Sequence, residues 1–143
     1  MLNKLLLILL LSVPIFAADM KIQNRELSNK DMKTQSVDIV KMAASEISKS
    51  LPQKIDKYTT LNSVKAKNKT LIYFYELNIA PKTDESVINE DHTRMKQAVT
   101  IGTCRGSIRF LEAGITLKYI YTSKSTKKEL FQFNINQESC KKI

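Results

Sequence analysis

Glycine is scarce in this chain, which has three glycines in 143 residues. Loops that cradle phosphate groups need several glycines, because their backbone must approach the ligand closely. The G-x-S-x-G turn that carries the nucleophile of an α/β-hydrolase is absent. The sequence therefore argues against phosphate-binding loops of this type and against that class of hydrolase.

Residues that supply metal sites and catalytic groups are also few, with one histidine, two cysteines and no C-x-x-C pair. His92 directly follows Glu90 and Asp91, and adjacent residues point to different sides of a helix. Glu76 lies in an aromatic strand and is a candidate general acid. Its position is more typical of a residue at the margin of the sheet that pairs with a lysine. We therefore predict no catalytic residue, no metal site and no cofactor.

No apolar run is long enough to cross a bilayer, which takes about 20 residues. The longest such run, Leu5–Val13, follows Lys4 and ends at Pro14, shortly before Ala17. A basic start, a short apolar run and a small-residue end are typical of a cleavable secretion signal. We predict export to the periplasm with cleavage near Ala17 and no transmembrane segment in the mature chain. No cysteine lies near that position, so no lipid anchor is predicted.

The chain is predicted to have three parts. Residues 1–17 form the signal peptide, residues 18–28 form a flexible polar arm, and residues 29–143 form a single domain. The 126 residues that remain after cleavage are enough for one domain with a hydrophobic core.

The two cysteines, Cys104 and Cys140, are an even pair in a chain predicted to be exported. Such a pair is typical of a structural disulfide, because exported proteins fold in an oxidising compartment. The alternative is a reactive thiol at Cys104, which is followed by Arg105. We predict the disulfide.

The hydrophobic pattern predicts an α+β fold. Val37, Val40, Ala44 and Ile47 recur at helical spacing, and alternating apolar residues predict strands further along the chain. Hairpins and helices follow one another without strand–helix–strand alternation, so we expect an antiparallel sheet of about four strands with helices on one face. The predicted order is α-β-β-α-α-β-β. It comprises helices at 28–51, 85–100 and 104–111, with a break at Gly102, and strands at 60–67, 70–78, 115–122 and 130–135.

Four tyrosines alternate along two of these strands: Tyr73, Tyr75, Tyr119 and Tyr121. An exposed ladder of this kind stacks on sugars or bases, whereas the same alternation is also typical of a core face covered by a helix. We predict that Tyr73 and Tyr75 belong to the core, and the binding surface remains the alternative.

The chain is strongly basic, with 23 Lys and Arg residues against 14 acids and a net charge of +9. Removal of residues 1–17 takes away Lys4 and no acid, which leaves the mature charge at +8. A charge this high favours weak binding to anionic polymers or membrane surfaces. Nucleic acid is not an expected partner, because arginine, the usual base reader, is rare. The candidate basic surface comprises Lys65, Lys67, Lys69, Lys124, Lys127 and Lys128.

The chain resembles a diffuse group of small exported bacterial proteins over roughly residues 45–140. The marks of the group are Leu51-Pro52, Asp56, Thr60, Tyr73-Phe74-Tyr75, Cys104, Gly114, Tyr119-Ile120-Tyr121 and Cys140. The resemblance implies a periplasmic, disulfide-bonded α+β domain and no particular activity. A more remote likeness is to secretion-system pilotins, which are small disulfide-bonded periplasmic helper proteins.

Taken together, these features predict a small, non-catalytic binding or accessory protein of the bacterial cell envelope, whose partner is an envelope or secretion-system protein. A second hypothesis is a module that binds an anionic envelope polymer or lipid. A third is a small periplasmic enzyme.

Overall fold

The computed structural model describes residues 29–143, with side chains from Lys33 onward. The predicted signal peptide and arm lie outside the described residues. The helices and strands are α1 (Asn29–Ser48), β1 (Gln53–Lys54), β2 (Thr59–Lys67), β3 (Thr70–Leu77), α2 (Asp84–Gly106), α3 (Ile108–Glu112), β4 (Thr116–Ser123), β5 (Glu129–Ile135) and α4 (Gln137–Cys140). Among them, no helix is both long and apolar enough to cross a membrane.

The sheet is mixed and has five strands in the order β1-β2-β3-β4-β5. Its central pair is parallel, with Thr70 of β3 opposite Thr116 of β4, while the other pairs are antiparallel. The α+β class is confirmed, but the prediction of four antiparallel strands is wrong in detail. Alternation in a sequence shows which face a side chain occupies and does not show which strand lies beside it. The two-residue strand β1 and the four-residue helix α4 also make the element order longer than predicted.

Helix α2 is a single helix of 23 residues that continues through Gly102, where we predicted a break. A glycine inside a helix costs about 1 kcal/mol relative to alanine, and the long helix tolerates that cost. Cys104 therefore lies near the end of α2, and not in the short helix that follows. Gly114 comes after α3 with a φ of 75°, a left-handed conformation that glycine adopts without steric strain.

The helices pack on one face of the sheet, as predicted. Helix α1 packs on β2 and β3, and α2 packs on β5. From α1, Val40 and Ala44 enter the core, and from α2, Val87 does so. The buried sheet residues of the core are Leu61, Val64, Leu71, Leu117, Tyr121, Leu130, Phe131, Phe133 and Ile135.

The opposite face of the sheet is only partly covered. Ile72, Phe74 and Ile120 lie next to one another on neighbouring strands and are half-buried. Lys65 and Lys118 flank Ile72 on either side, and the Lys65 ammonium lies 5.2 Å from the centre of the Phe74 ring. Ile72 and Phe74, the apolar residues of β3 on this face, are therefore only partly shielded from solvent.

Candidate functional site

The helix-covered face of the sheet has a groove along its centre, because α1 packs on one side and α2 on the other. Tyrosines from the parallel pair β3 and β4 form the floor. The ring centroids of Tyr73 and Tyr119 are 5.2 Å apart, and those of Tyr75 and Tyr121 are 4.9 Å apart. Tyr121 is buried, whereas the other three tyrosines are half-buried. The prediction that Tyr73 and Tyr75 belong to the core is confirmed in part, since both pack against it and keep an exposed edge.

The tyrosine hydroxyls of the groove are neutral at physiological pH. Burial raises the pKa of Tyr73 and of Tyr121 to about 12, and burial also raises the pKa of Tyr75 and Tyr119. The Thr103 hydroxyl donates a hydrogen bond of 2.8 Å to the Tyr119 hydroxyl oxygen. This arrangement offers aromatic surface and a few hydroxyls, which suit binding better than proton transfer.

At the end of β3, beyond the tyrosines, lies a cavity of about 370 Å³. Its apolar lining includes Leu77 in β3, Ile79 in the loop after it, and Val87 and Met95 in α2. Phe131 of β5 lines it as well. Pockets with an apolar lining and a few polar groups at the rim are typical binding sites for apolar side chains.

Charged side chains of α2 and the preceding loop form the rim of this cavity. The Lys82 ammonium lies 2.9 Å from a Glu90 carboxylate oxygen and 3.4 Å from one of Asp91. Arg94 binds the other Asp91 oxygen at 2.7 Å. The hydrogen bond from Lys82 lowers the pKa of Glu90, and the same bond raises the pKa of Lys82. The charged side chains of the rim are therefore paired with one another. The apolar cavity is the feature that distinguishes this site.

Cys104 and Cys140 form a disulfide, as predicted, and it joins the end of α2 to α4. Both cysteines are bonded, so neither is a free thiol. Glu76 is paired with Lys127 at 2.5 Å, which agrees with its interpretation as a residue that pairs with a lysine.

His92 lies against the rings of Phe131 and Phe133, with centroids 6.0 and 5.5 Å away. In the described part of the chain, no three His, Cys, Asp or Glu side chains come together as metal ligands do.

The structure divides the candidate basic surface into two separate clusters. Lys65, Lys67 and Lys69 lie at the β2–β3 turn, and the other three lysines lie around the β4–β5 turn. Because β3 and β4 run in parallel from the first turn towards the second, the two clusters lie at opposite ends of the sheet. They do not form one continuous surface.

Sequence reasoning missed the cavity. Its residues come from a strand end, a loop, a helix and a distant strand, and only the tertiary fold brings them together. The available signal was the apolar side chain of Ile79 in the loop after β3, close to Leu77 and Pro81. That signal does not identify the partners of Ile79.

Comparison with solved structures shows the same fold in three exported or secretion-related proteins. A Pseudomonas aeruginosa protein described as a candidate secreted protein is 16% identical, with a TM-score of 0.66, and the match covers 76% of this chain and 96% of that one. The pilotin EpsS of the Vibrio vulnificus type 2 secretion system is 10% identical, with a TM-score of 0.66 and coverages of 78% and 97%. The type II secretion pilotin AspS of Vibrio cholerae is 16% identical, with a TM-score of 0.62 and coverages of 78% and 97%.

These matches show that the chain shares its fold with the three proteins. Two of them are pilotins, to which the sequence already has a remote likeness. No curated protein matches the chain. Residues 34–131, more than half of the chain, match the domain of unknown function DUF8479, and the chain therefore belongs to that family.

Proposed function

We propose that this protein is a non-catalytic accessory protein of the bacterial envelope that binds an apolar segment of a partner protein in the groove between α1 and α2. The observation that carries the proposal is that Leu77, which lines the apolar cavity together with Val87 and Met95, follows the half-buried Tyr75 on the same face of β3. Together they offer a partner aromatic and aliphatic surface along one line. An amphipathic helix is the partner element that suits a groove of this kind, because its apolar face is a continuous stripe.

The fold shared with two type II secretion pilotins supports a partner that is a component of an envelope secretion system. The predicted signal peptide and the disulfide support a periplasmic location, because disulfides persist in that oxidising compartment. The neutral tyrosines and the mutually paired rim charges support binding in preference to catalysis.

Site-specific photocrosslinking in the periplasm tests the proposal. A photoreactive residue in place of Met95, which lines the cavity, should capture one defined envelope protein. The matched control is Met42 on α1, which is 71% exposed and should capture none. Equal capture at Met95 and Met42, or capture at neither, would contradict binding in the groove.

Met95→Glu supplies an independent readout. It places a charge in the apolar cavity and should abolish copurification of the captured partner, whereas Met42→Glu should not. The circular dichroism spectrum and the thermal midpoint of both variants show whether each is folded. Retained copurification in a folded Met95→Glu variant would locate the partner elsewhere.

Binding to an anionic polymer is the second candidate function, and the observation that favours it is the net charge of +9, which becomes +8 after the predicted cleavage. The separation of the lysines into two clusters makes a single polymer site less suitable. A salt titration of the binding separates this function from the first, because attraction by scattered charges is screened by salt.

A further inference from the structure

Strand β5 is an uncapped edge of the sheet. Its seven residues, Glu129–Ile135, pair with β4, and within residues 29–143 no strand lies on their other side. In an antiparallel pair, every second residue directs its N–H and C=O groups away from its neighbour. The outer side of β5 therefore presents a row of backbone donors and acceptors.

This edge lacks several of the usual devices that prevent pairing with another chain, although it carries Glu129 and an irregular register next to that residue. Natural edge strands are commonly very short or carry lysine or proline. The opposite edge follows that pattern, since β1 has only two residues and the adjacent strand β2 contains Lys65 and Lys67. Although the chain contains 23 Lys and Arg residues, β5 contains none of them and no proline.

A groove of about 630 Å³ lies beside the end of β5, between that strand, α2 and the C-terminal residues. Its apolar part is formed by Ile101 of α2, Ile135 of β5 and the C-terminal Ile143, which is 65% exposed. In a strand added to β5, the side chains that point towards the helix layer would enter this groove.

The charges of this groove favour an acidic segment. Lys96 of α2 and Lys142 line it, and no carboxylate of the described residues lies within ion-pair distance of either ammonium group. Glu138 also lines the groove, and its carboxylate is paired with Lys141 at 2.5 Å and interacts at longer range with the charge of Lys142.

We propose that the edge of β5 accepts an extended, acidic segment of a partner protein as a sixth strand, with apolar side chains in the Ile101–Ile135–Ile143 groove and carboxylates at Lys96 and Lys142. Backbone hydrogen bonds supply the affinity in this mode of recognition, and pockets for alternate side chains supply the specificity. The site is separate from the groove between α1 and α2, so evidence against one of the two sites does not count against the other.

The probe for this proposal is an acetylated octapeptide of alternating valine and glutamate. We expect saturable binding by fluorescence anisotropy, and slower hydrogen exchange at the amides of β5 when the peptide is present. The same peptide with every backbone nitrogen methylated cannot donate hydrogen bonds and should not bind. Binding that survives methylation, or protection confined to α1 and α2, would overturn the proposal.

Charge-reversed variants test the acidic preference. Lys96→Glu combined with Lys142→Glu should weaken binding of the octapeptide roughly fivefold, the scale of two exposed ion pairs. The matched control is Lys33→Glu combined with Lys54→Glu, which makes the same change of net charge on exposed residues outside the groove. Equal weakening in both double variants, or no binding of the peptide at millimolar concentration, would refute the site.

A third measurement addresses a second copy of the chain as the occupant. Analytical ultracentrifugation of the isolated protein should show a monomer. Protection of the β5 amides that grows with protein concentration in the absence of peptide would mean that β5 pairs with itself, which would overturn the proposed acidic partner.

Discussion

Tyr73 and Tyr119 stack on neighbouring strands, with ring centroids 5.2 Å apart and ring planes 9° apart. They do so because β3 and β4 are parallel and in register, so residues 46 positions apart face each other along the whole pair. The same register stacks Tyr75 on Tyr121. The tyrosine floor of the groove is thus a direct product of the parallel central pair.

Truncation of the tyrosines should destabilise the protein in proportion to burial. Tyr121 is 7% exposed, so Tyr121→Ala should lower the free energy of unfolding by about 3–5 kcal/mol. Tyr73 is half-buried, so Tyr73→Ala should cost less, about 2 kcal/mol. Urea unfolding of both variants measures the difference, and a larger loss at Tyr73 would show that the groove is closed in solution.

Alkaline pH should weaken the fold through these tyrosines. Burial raises the pKa of Tyr73 and Tyr121 to about 12, against about 10 in an unfolded chain. The folded state therefore retains the phenol protons more strongly, and this stabilisation is complete below about pH 10 and is lost as the pH rises towards about 12. Urea midpoints measured across this range should fall, and they should fall less in the Tyr73→Phe and Tyr121→Phe variants. Equal falls in all three proteins would contradict the assignment.

Loss of the disulfide should destabilise the second half of the chain. The bond closes a loop between residues 36 positions apart, which corresponds to about 3–4 kcal/mol in the chain-entropy description. Cys140→Ser should lower the free energy of unfolding by about that amount and leave the Cys104 thiol open to alkylation. The double variant Cys104→Ser, Cys140→Ser is the control for the free thiol. An unchanged thermal midpoint in both variants would show that the bond adds little.

Attraction to anionic surfaces should depend strongly on salt. The two lysine clusters lie at opposite ends of eight-residue strands, roughly 26 Å apart at about 3.3 Å per residue. That distance exceeds the Debye length of about 8 Å at physiological ionic strength, so the clusters act separately. Cosedimentation with vesicles of phosphatidylglycerol should decline steeply between low and physiological salt. Binding that survives salt and disappears when Lys124, Lys127 and Lys128 are reversed would instead indicate a specific anion site.

Export should remove the first residues of the chain. Lys4 and the apolar run Leu5–Val13 predict cleavage near Ala17. Mass spectrometry of the periplasmic protein should find an N-terminus at Ala18 or within two residues of it. A soluble cytoplasmic form that keeps Met1 would contradict the predicted location.

Local patterns in the sequence predicted most of the elements. The helical spacing of Val40, Ala44 and Ile47 placed α1, and the alternation from Leu71 to Leu77 placed β3, because burial on one face requires these periods. The cysteine pair predicted the disulfide, since export leaves few other roles for two isolated thiols.

The arrangement of the elements could not be predicted in the same way. No pattern within β3 or β4 distinguishes a parallel neighbour from an antiparallel one, and Gly102 alone was a misleading break signal. The cavity escaped prediction because Ile79, Met95 and Phe131 meet only after the chain has crossed the sheet. The short helix α4 depends on a capping box between Asn136 and Ser139, a signal too local to suggest a helix of four residues.

The parallel central pair also bears on the order in which the chain acquires its structure. Strands β2 and β3 form a hairpin from neighbouring residues, and so do β4 and β5, but β3 and β4 meet across a separation of 46 residues. Closing so long a loop is entropically costly, so contacts of this kind form later than local ones. We expect each hairpin to form early and the sheet to be completed when the second hairpin docks on the first. The tyrosine floor of the groove would therefore exist only after that docking, which ties binding competence to the final assembly step.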